Sequence, residues 1–145
     1  MRIAVVADTH DRLPESVCAA IRGADEIWHL GDVCSPVILV MLERIAPVRV
    51  VRGNCDSESE WPLTLDFTLG GIRFHLEHIP TKRPPACDIF LHGHTHVPRD
   101  ETVSGVRFLN PGCITRPNRG APASYAWLTL DDGEIMWKIM PVQGP

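Results

Sequence analysis

A chain of 145 residues with a formal net charge of −4 and a pI near 5.9 suits one domain over residues 1–145, and its scattered Lys and Arg exclude a strong nucleic-acid-binding surface. The first carboxylate, Asp8, arrives after too short an apolar stretch for a signal peptide, and no later run could span a bilayer. A cytoplasmic protein without a membrane partner is expected, and its five cysteines, odd in number and without CxxC spacing, exclude a disulfide framework or a thiolate zinc site.

The first predicted element is a strand over 3–7, an apolar run with β-branched residues that ends at Asp8-Thr9-His10. Residues 14–23 open on Pro, close on Gly and space Val17, Ala20 and Ile21 as a helix does. A strand over 27–30 ends at Gly31-Asp32. The stretch 35–45 follows as a second, well-buried helix with Ser35 as N-cap and Pro36 at the first helical position. A third strand over 48–51 ends at Gly53-Asn54. This alternation is the βαβ pattern of a parallel sheet with right-handed crossovers.

Beyond Asn54 the pattern becomes antiparallel-rich. Residues 64–69 and 72–76 read as a hairpin about Gly70-Gly71, the second strand running towards His78. A strand over 89–91 reaches Gly93-His94-Thr95-His96, a hairpin covers 102–109, and 125–130 turns through Asp131-Asp132-Gly133 into 134–140. Two mixed sheets face to face, with helices outside and filling from Trp28, Phe67, Phe74, Phe90, Trp127 and Trp137, satisfy both halves. Loops at 82–85 and 116–120 are candidate mobile regions.

Five of these runs each end on a side chain that binds metals: Asp8/His10, Asp32, Asn54, His78 and His94/His96. If the strands lie parallel, their carboxyl ends share one sheet edge, where open α/β sheets place ligand sites. Seven such donors exceed what one ion takes from protein, which points to a two-metal centre. Gly31, Gly53 and Gly93 would let backbone approach the metals or take positive φ at the strand exits. His29, His75 and His92 lie within apolar runs and are expected as core or pocket-wall residues satisfied by hydrogen bonds.

Together the segments Asp8-Thr9-His10, Gly31-Asp32, Gly53-Asn54, His78 and Gly93-His94-Thr95-His96 resemble the signature of the calcineurin-like metallophosphoesterases. Asn110-Pro111-Gly112-Cys113 followed by Pro122-Ala123-Ser124-Tyr125 further resembles the small prokaryotic YfcE-type phosphodiesterases. The resemblance implies an α/β fold, a four-layer α/β/β/α sandwich of two mixed sheets flanked by helices. It implies one metal on Asp8, His10 and His96, another on Asn54, His78 and His94, and Asp32 bridging. Asp32, Asn54 and His94 become the expected catalytic members, with a metal-bridging hydroxide as nucleophile and a phosphodiester as substrate.

Charge supports an anionic small substrate independently, since two divalent ions, two carboxylates and a hydroxide leave roughly +1 in a partly desolvated pocket. The mixed donor set suits Mn²⁺, Fe²⁺, Ni²⁺ or Zn²⁺, and the family favours Mn²⁺. Cys55 stands where larger relatives carry a histidine thought to protonate the leaving group, and Arg116 and Arg119 are candidate phosphate contacts. His78 is followed by Ile79-Pro80, where the family usually has Gly, and Pro84-Pro85 disfavour the helix that relatives place before the strand at 89. That departure could open one pocket wall or free an apolar flank for a second copy of the chain. The competing reading is a non-enzymatic scaffold, since a retromer subunit resembles this fold. Nucleotide binding without hydrolysis lacks a GxxxxGK[ST] loop.

Overall fold

The computed structural model describes residues 1–57 and 60–143. In chain order the elements are β1 (Arg2–Val6), α1 (Glu15–Ala20), β2 (Glu26–His29), α2 (Pro36–Glu43), β3 (Val48–Val50), β4 (Thr64–Leu69), β5 (Ile72–Glu77), β6 (Ile89–Leu91), β7 (Arg99–Val103), β8 (Val106–Asn110), β9 (Ser124–Asp131) and β10 (Glu134–Pro141). They form two mixed five-stranded sheets, ordered β10-β9-β1-β2-β3 and β4-β5-β6-β8-β7. The first carries the parallel trio β1, β2 and β3. The second carries the parallel trio β5, β6 and β8. Three hairpins turn on Gly70-Gly71, Ser104-Gly105 and Asp132-Gly133, each pair with positive φ at both residues. That is the backbone a two-residue type I′ turn requires.

Strand alternation divides the core. Ile3, Val5, Trp28, Phe74, Leu76 and Leu91 fill the space between the sheets, with Phe67 and Trp137 packed against them. Ala4, Val6 and Ile27 face the other way, onto Val17 and Ile21 near α1 and onto Ile38, Leu39 and Leu42 of α2. Two of the expected inter-sheet aromatics lie elsewhere. Trp127, between the inward Ala126 and Leu128, points to the helix side, and Phe90, between Ile89 and Leu91, points to the far face of the second sheet.

Both helices thus pack on the first sheet. Of the four layers expected, the outermost on the second sheet holds no helix among the described residues: the 79–87 segment forms none, and its Cys87 clusters with Phe90, Val106 and Phe108. Pro80, Pro84 and Pro85 explain this, since each removes a donor and biases its predecessor away from helical backbone. α2 is only half-buried: Val37 and Val40 face solvent, and Ser35 stands at the N-cap without a side-chain capping bond, leaving Pro36 as the start signal.

Candidate metal centre

The exits of β1, β2, β3, β5 and β6 gather at one rim, and backbone bonds stitch them together. Asp8 N–H donates to Gly31 O at 3.0 Å, His10 N–H to Asp32 O at 3.0 Å, and Gly93 N–H to His78 O at 3.1 Å. The donors themselves carry strained backbone, with φ of 57° at Asp8, 45° at His10, 59° at Asp32, 73° at His94 and 61° at His96. Non-glycine residues seldom occupy this region, and when held there by their surroundings they tend to mark functional sites. Of the three neighbouring glycines, expected to allow either close approach or positive φ, only Gly31 takes positive φ.

The side chains converge on the Asp8 carboxylate, which is fully buried. Its Oδ1 lies 3.5 Å from His96 Nε2, 3.8 Å from His78 Nε2 and 3.9 Å from His10 Nε2. Asp32 Oδ2 lies 3.3 Å from His78 Nε2 and 3.7 Å from His10 Nε2, so this carboxylate reaches both sides of the cluster. Asp8, His10 and His96 form one group with ligand geometry, and Asp8, Asp32 and His78 another.

Three of the four candidate histidines have a partner on the other ring nitrogen. His78 Nδ1 meets Leu30 O at 2.8 Å, His96 Nδ1 meets Arg116 O at 2.6 Å, and His10 Nδ1 lies 3.9 Å from Cys34 Sγ. A ring that donates through Nδ1 to a carbonyl presents an Nε2 lone pair, the arrangement typical of metal-ligating histidines. Asp8 Oδ1, His10 Nε2 and His78 Nε2 are buried without any hydrogen-bond partner. Native proteins rarely leave such atoms unsatisfied, and a cation in their midst would satisfy all of them.

Asn54 and His94 stand at the more exposed end, Asn54 Oδ1 being 3.2 Å from His94 Nδ1, and the His94 ring centroid is 5.3 Å from that of His78. All seven expected donors therefore share one rim.

The electrostatics are divided in character. Burial lifts the Asp8 carboxyl to about 6, against the pull of His78 and His96. Burial also acts on Asp32 but is outweighed by His78, the Cys55 N–H and His10, which hold its carboxyl well below the usual carboxylate range. His10 and His94 are pushed down by burial, whereas at His78 the Asp32 and Asp8 carboxylates overcome burial and raise it.

Close approach explains the glycines. A Cβ at Gly53 would collide with the Asp32 carboxylate and backbone, and one at Gly31, where φ is 101°, would stand 2.7 Å from His78 Nδ1. Supporting residues hold the loops, and one of them, Asp56, belongs to none of the motifs named above. The Asp56 carboxylate accepts from the N–H groups of Asp32, Cys34 and Gly53 at 2.7–2.9 Å. Its position shortly after Gly53-Asn54, as a turn-capping Asp, is the signal that could have found it. Asn110 donates to Gly93 O and to Thr95 Oγ1, and the Cys113 thiol donates to Asp8 O at 3.3 Å. The Asn110-to-Cys113 segment thus buttresses the donors from behind.

Residues 1–133 match the model of the calcineurin-like phosphoesterase superfamily domain. The chain belongs to that family. As a calcineurin-like phosphoesterase it is 35% identical to a probable metallophosphoesterase of Methanothermobacter thermautotrophicus, over 100% of this chain and 95% of that protein. It is 32% identical to the phosphodiesterase YfcE of Escherichia coli K12, over 90% and 89%. The solved structure of YfcE, a phosphoesterase from E. coli, superposes with a TM-score of 0.79 and 28% identity, covering 99% of this chain and 100% of that one. Vps29 from Entamoeba histolytica, solved with Zn²⁺, shares the fold at 22% identity and a TM-score of 0.78 over 99% and 100%.

In this calcineurin-like phosphoesterase the three residues expected at the substrate fall in different places. Cys55 is exposed; its N–H donates to Asp32 Oδ1 at 2.9 Å, and burial and Asp32 push its thiol up, away from thiolate character. Arg116 reaches the centre twice, through its backbone carbonyl on His96 at 2.6 Å and through the charge of its exposed side chain, which adds to burial in pushing His10 down. Arg119 lines a cavity of about 540 Å³ beside His94.

Proposed function

We propose that this chain is a dinuclear metal-dependent phosphodiesterase. The observation that carries the reading is the set of three buried, unpartnered atoms, Asp8 Oδ1, His10 Nε2 and His78 Nε2, aimed at one space. A scaffold without metal would bear the desolvation of these groups with nothing in return. Asp8, His10 and His96 would hold one ion, Asn54, His78 and His94 the other, and Asp32 would touch both. Mn²⁺ is the first candidate for a site of mixed imidazole, carboxylate and amide donors, with Fe²⁺, Ni²⁺ and Zn²⁺ as alternatives. Bound ions supply an activated water and hold phosphoryl oxygens through in-line displacement.

The chain's own residues prepare the site. Leu30 O and Arg116 O orient His78 and His96, and Asp56 fixes the loops beneath Asp32. Arg119, at the cavity beside His94, and Arg116, whose charge acts on His10, would contact the substrate phosphate. The test is hydrolysis of bis(p-nitrophenyl) phosphate by protein loaded with each metal. Turnover that disappears on chelation and returns with Mn²⁺ is expected. Protein of verified metal content that hydrolyses no phosphodiester with any of these ions would favour the scaffold.

A further inference from the structure

The Asn54, His78 and His94 end of the centre lies between two cavities of different chemistry. On one side, about 540 Å³ has a mixed lining, with His94, Arg99, Glu101, Asn118 and Arg119 beside the apolar Val97 and Pro98. On the other, about 380 Å³ is lined by Asn54 and His78 together with Gly53, Arg52, Leu63 and Ile79. Leu63 and Ile79 are its large apolar members, and they stand 58% and 46% exposed. Few large apolar side chains here are that open, and these two flank ligand candidates in the same cavity. The wall is anchored: Arg52 N–H donates to Pro62 O at 2.7 Å, tying the segment that bears Leu63 to the β3 exit. Ile79 directly follows His78, whose ring is fixed on Leu30 O at 2.8 Å, so its position is tied to that of a ligand candidate. Ile79 and Pro80 also separate the cavities, each lining a different one.

A phosphodiester has two ester arms, and a phosphoryl group at this centre would direct them to the two sides. We propose that the substrate is an unsymmetrical phosphodiester whose apolar arm, an aryl or branched alkyl group, packs on Leu63 and Ile79. This rests on the phosphodiesterase reading and specifies its substrate class. The occupant follows from continuity with the centre: the apolar cavity shares Asn54 and His78 with the metal-ligand set, so what fills it must be joined to what the metals hold. The opposite cavity, with Arg99, Asn118 and Arg119, suits the polar arm.

Phosphonates, which cannot be hydrolysed, test this by binding alone. Calorimetric titration of the Mn²⁺-loaded protein, with metal content verified, should show phenylphosphonate binding about tenfold or more tighter than methylphosphonate, the usual discrimination of an apolar pocket. Leu63→Asp and Ile79→Ala should each bring that ratio close to one. Both sites are surface-exposed, so folding is retained, and a melting curve checks it. Equal affinity for the two phosphonates in wild type, or a preference that survives both substitutions, would overturn the inference and leave the phosphodiesterase reading standing. If neither phosphonate binds metal-loaded protein, both fall. Should sedimentation instead reveal a wild-type dimer that Leu63→Asp dissociates, with no change in phosphonate preference, the cavity belongs to a second copy and the substrate assignment is wrong.

Discussion

Asp32 is the carboxylate that faces both halves of the candidate centre. One carboxylate oxygen accepts the Cys55 N–H at 2.9 Å while the other lies between His78 and His10. Asp32→Ala should therefore lose most of both metals, whereas Asn54→Ala should empty mainly one site. Elemental analysis of the purified variants decides it, and two full equivalents in Asp32→Ala would refute the bridging role. Cys55 poses a different question. Its exposed thiol is pushed up by burial and by Asp32, which makes it a weaker acid than an imidazolium at the same place, and general-acid help is worth about 10²–10⁴-fold. Wild type should accordingly cleave p-nitrophenyl esters much faster than alkyl esters, and Cys55→Ser should change both rates little. Cys55→His should improve alkyl esters more than aryl ones. Loss of turnover in Cys55→Ser at intact metal content would show that the thiol acts directly.

At the scale of elements, the parts legible in the sequence were those with strong local signals. Apolar runs closed by Asp, Asn or His marked the parallel strands, and glycine-bearing turns marked all three hairpins. β7 was shortened in the reading because Arg99-Asp100-Glu101 is polar, as suits an edge strand, which needs no apolar pattern. The sides taken by Phe90 and Trp127 were hidden for the opposite reason. Strands apolar on both faces show no alternation. In the site, the donor types were legible, but their strained φ and aimed tautomers arise from contacts between elements far apart in sequence.

β2 supplies one such contact. Gly31 N–H donates to His29 Nδ1 at 3.1 Å, so His29 Nε2 carries the proton and faces Thr9 Oγ1 at 3.1 Å. Fully buried and neutral, His29 is pushed down to about 3 from 6.5, chiefly by burial. The unfolded chain binds this proton more readily than the folded one, so the contribution to stability is complete above about pH 6.5 and is lost as pH falls towards 3. His29→Gln should flatten the decline of melting temperature between pH 6.5 and 4 relative to wild type. Parallel declines in the two proteins would contradict this.

For the whole molecule, the centre joins both sheets at one rim, because Asp8, Asp32 and Asn54 leave the first and His78 and His94 leave the second. Ions that bind only the folded state stabilise it, by about 2.7 kcal/mol at one hundred times the dissociation constant. For a protein of this size that corresponds to roughly 5–10 °C. Chelation should lower the melting temperature by such an amount, and Mn²⁺ should restore it in wild type but not in a His10→Ala, His96→Ala double variant. A melt indifferent to confirmed metal removal would argue against a preformed site.

β1 lies between β2 and β9 and pairs with β9 from Arg2↔Thr129 to Val5↔Ala126. A chain emerging from the ribosome makes β1 well before its antiparallel neighbour, with α1 to β8 in between. Until β9 leaves the exit tunnel, β1 is an open edge with apolar side chains on both faces, the kind of surface that recruits other chains. Synthesis therefore leaves this strand unpaired on one side while every element from α1 to β8 is made. Through that interval a strand whose Ile3, Ala4, Val5 and Val6 are all buried in the finished fold is still unpaired on one side.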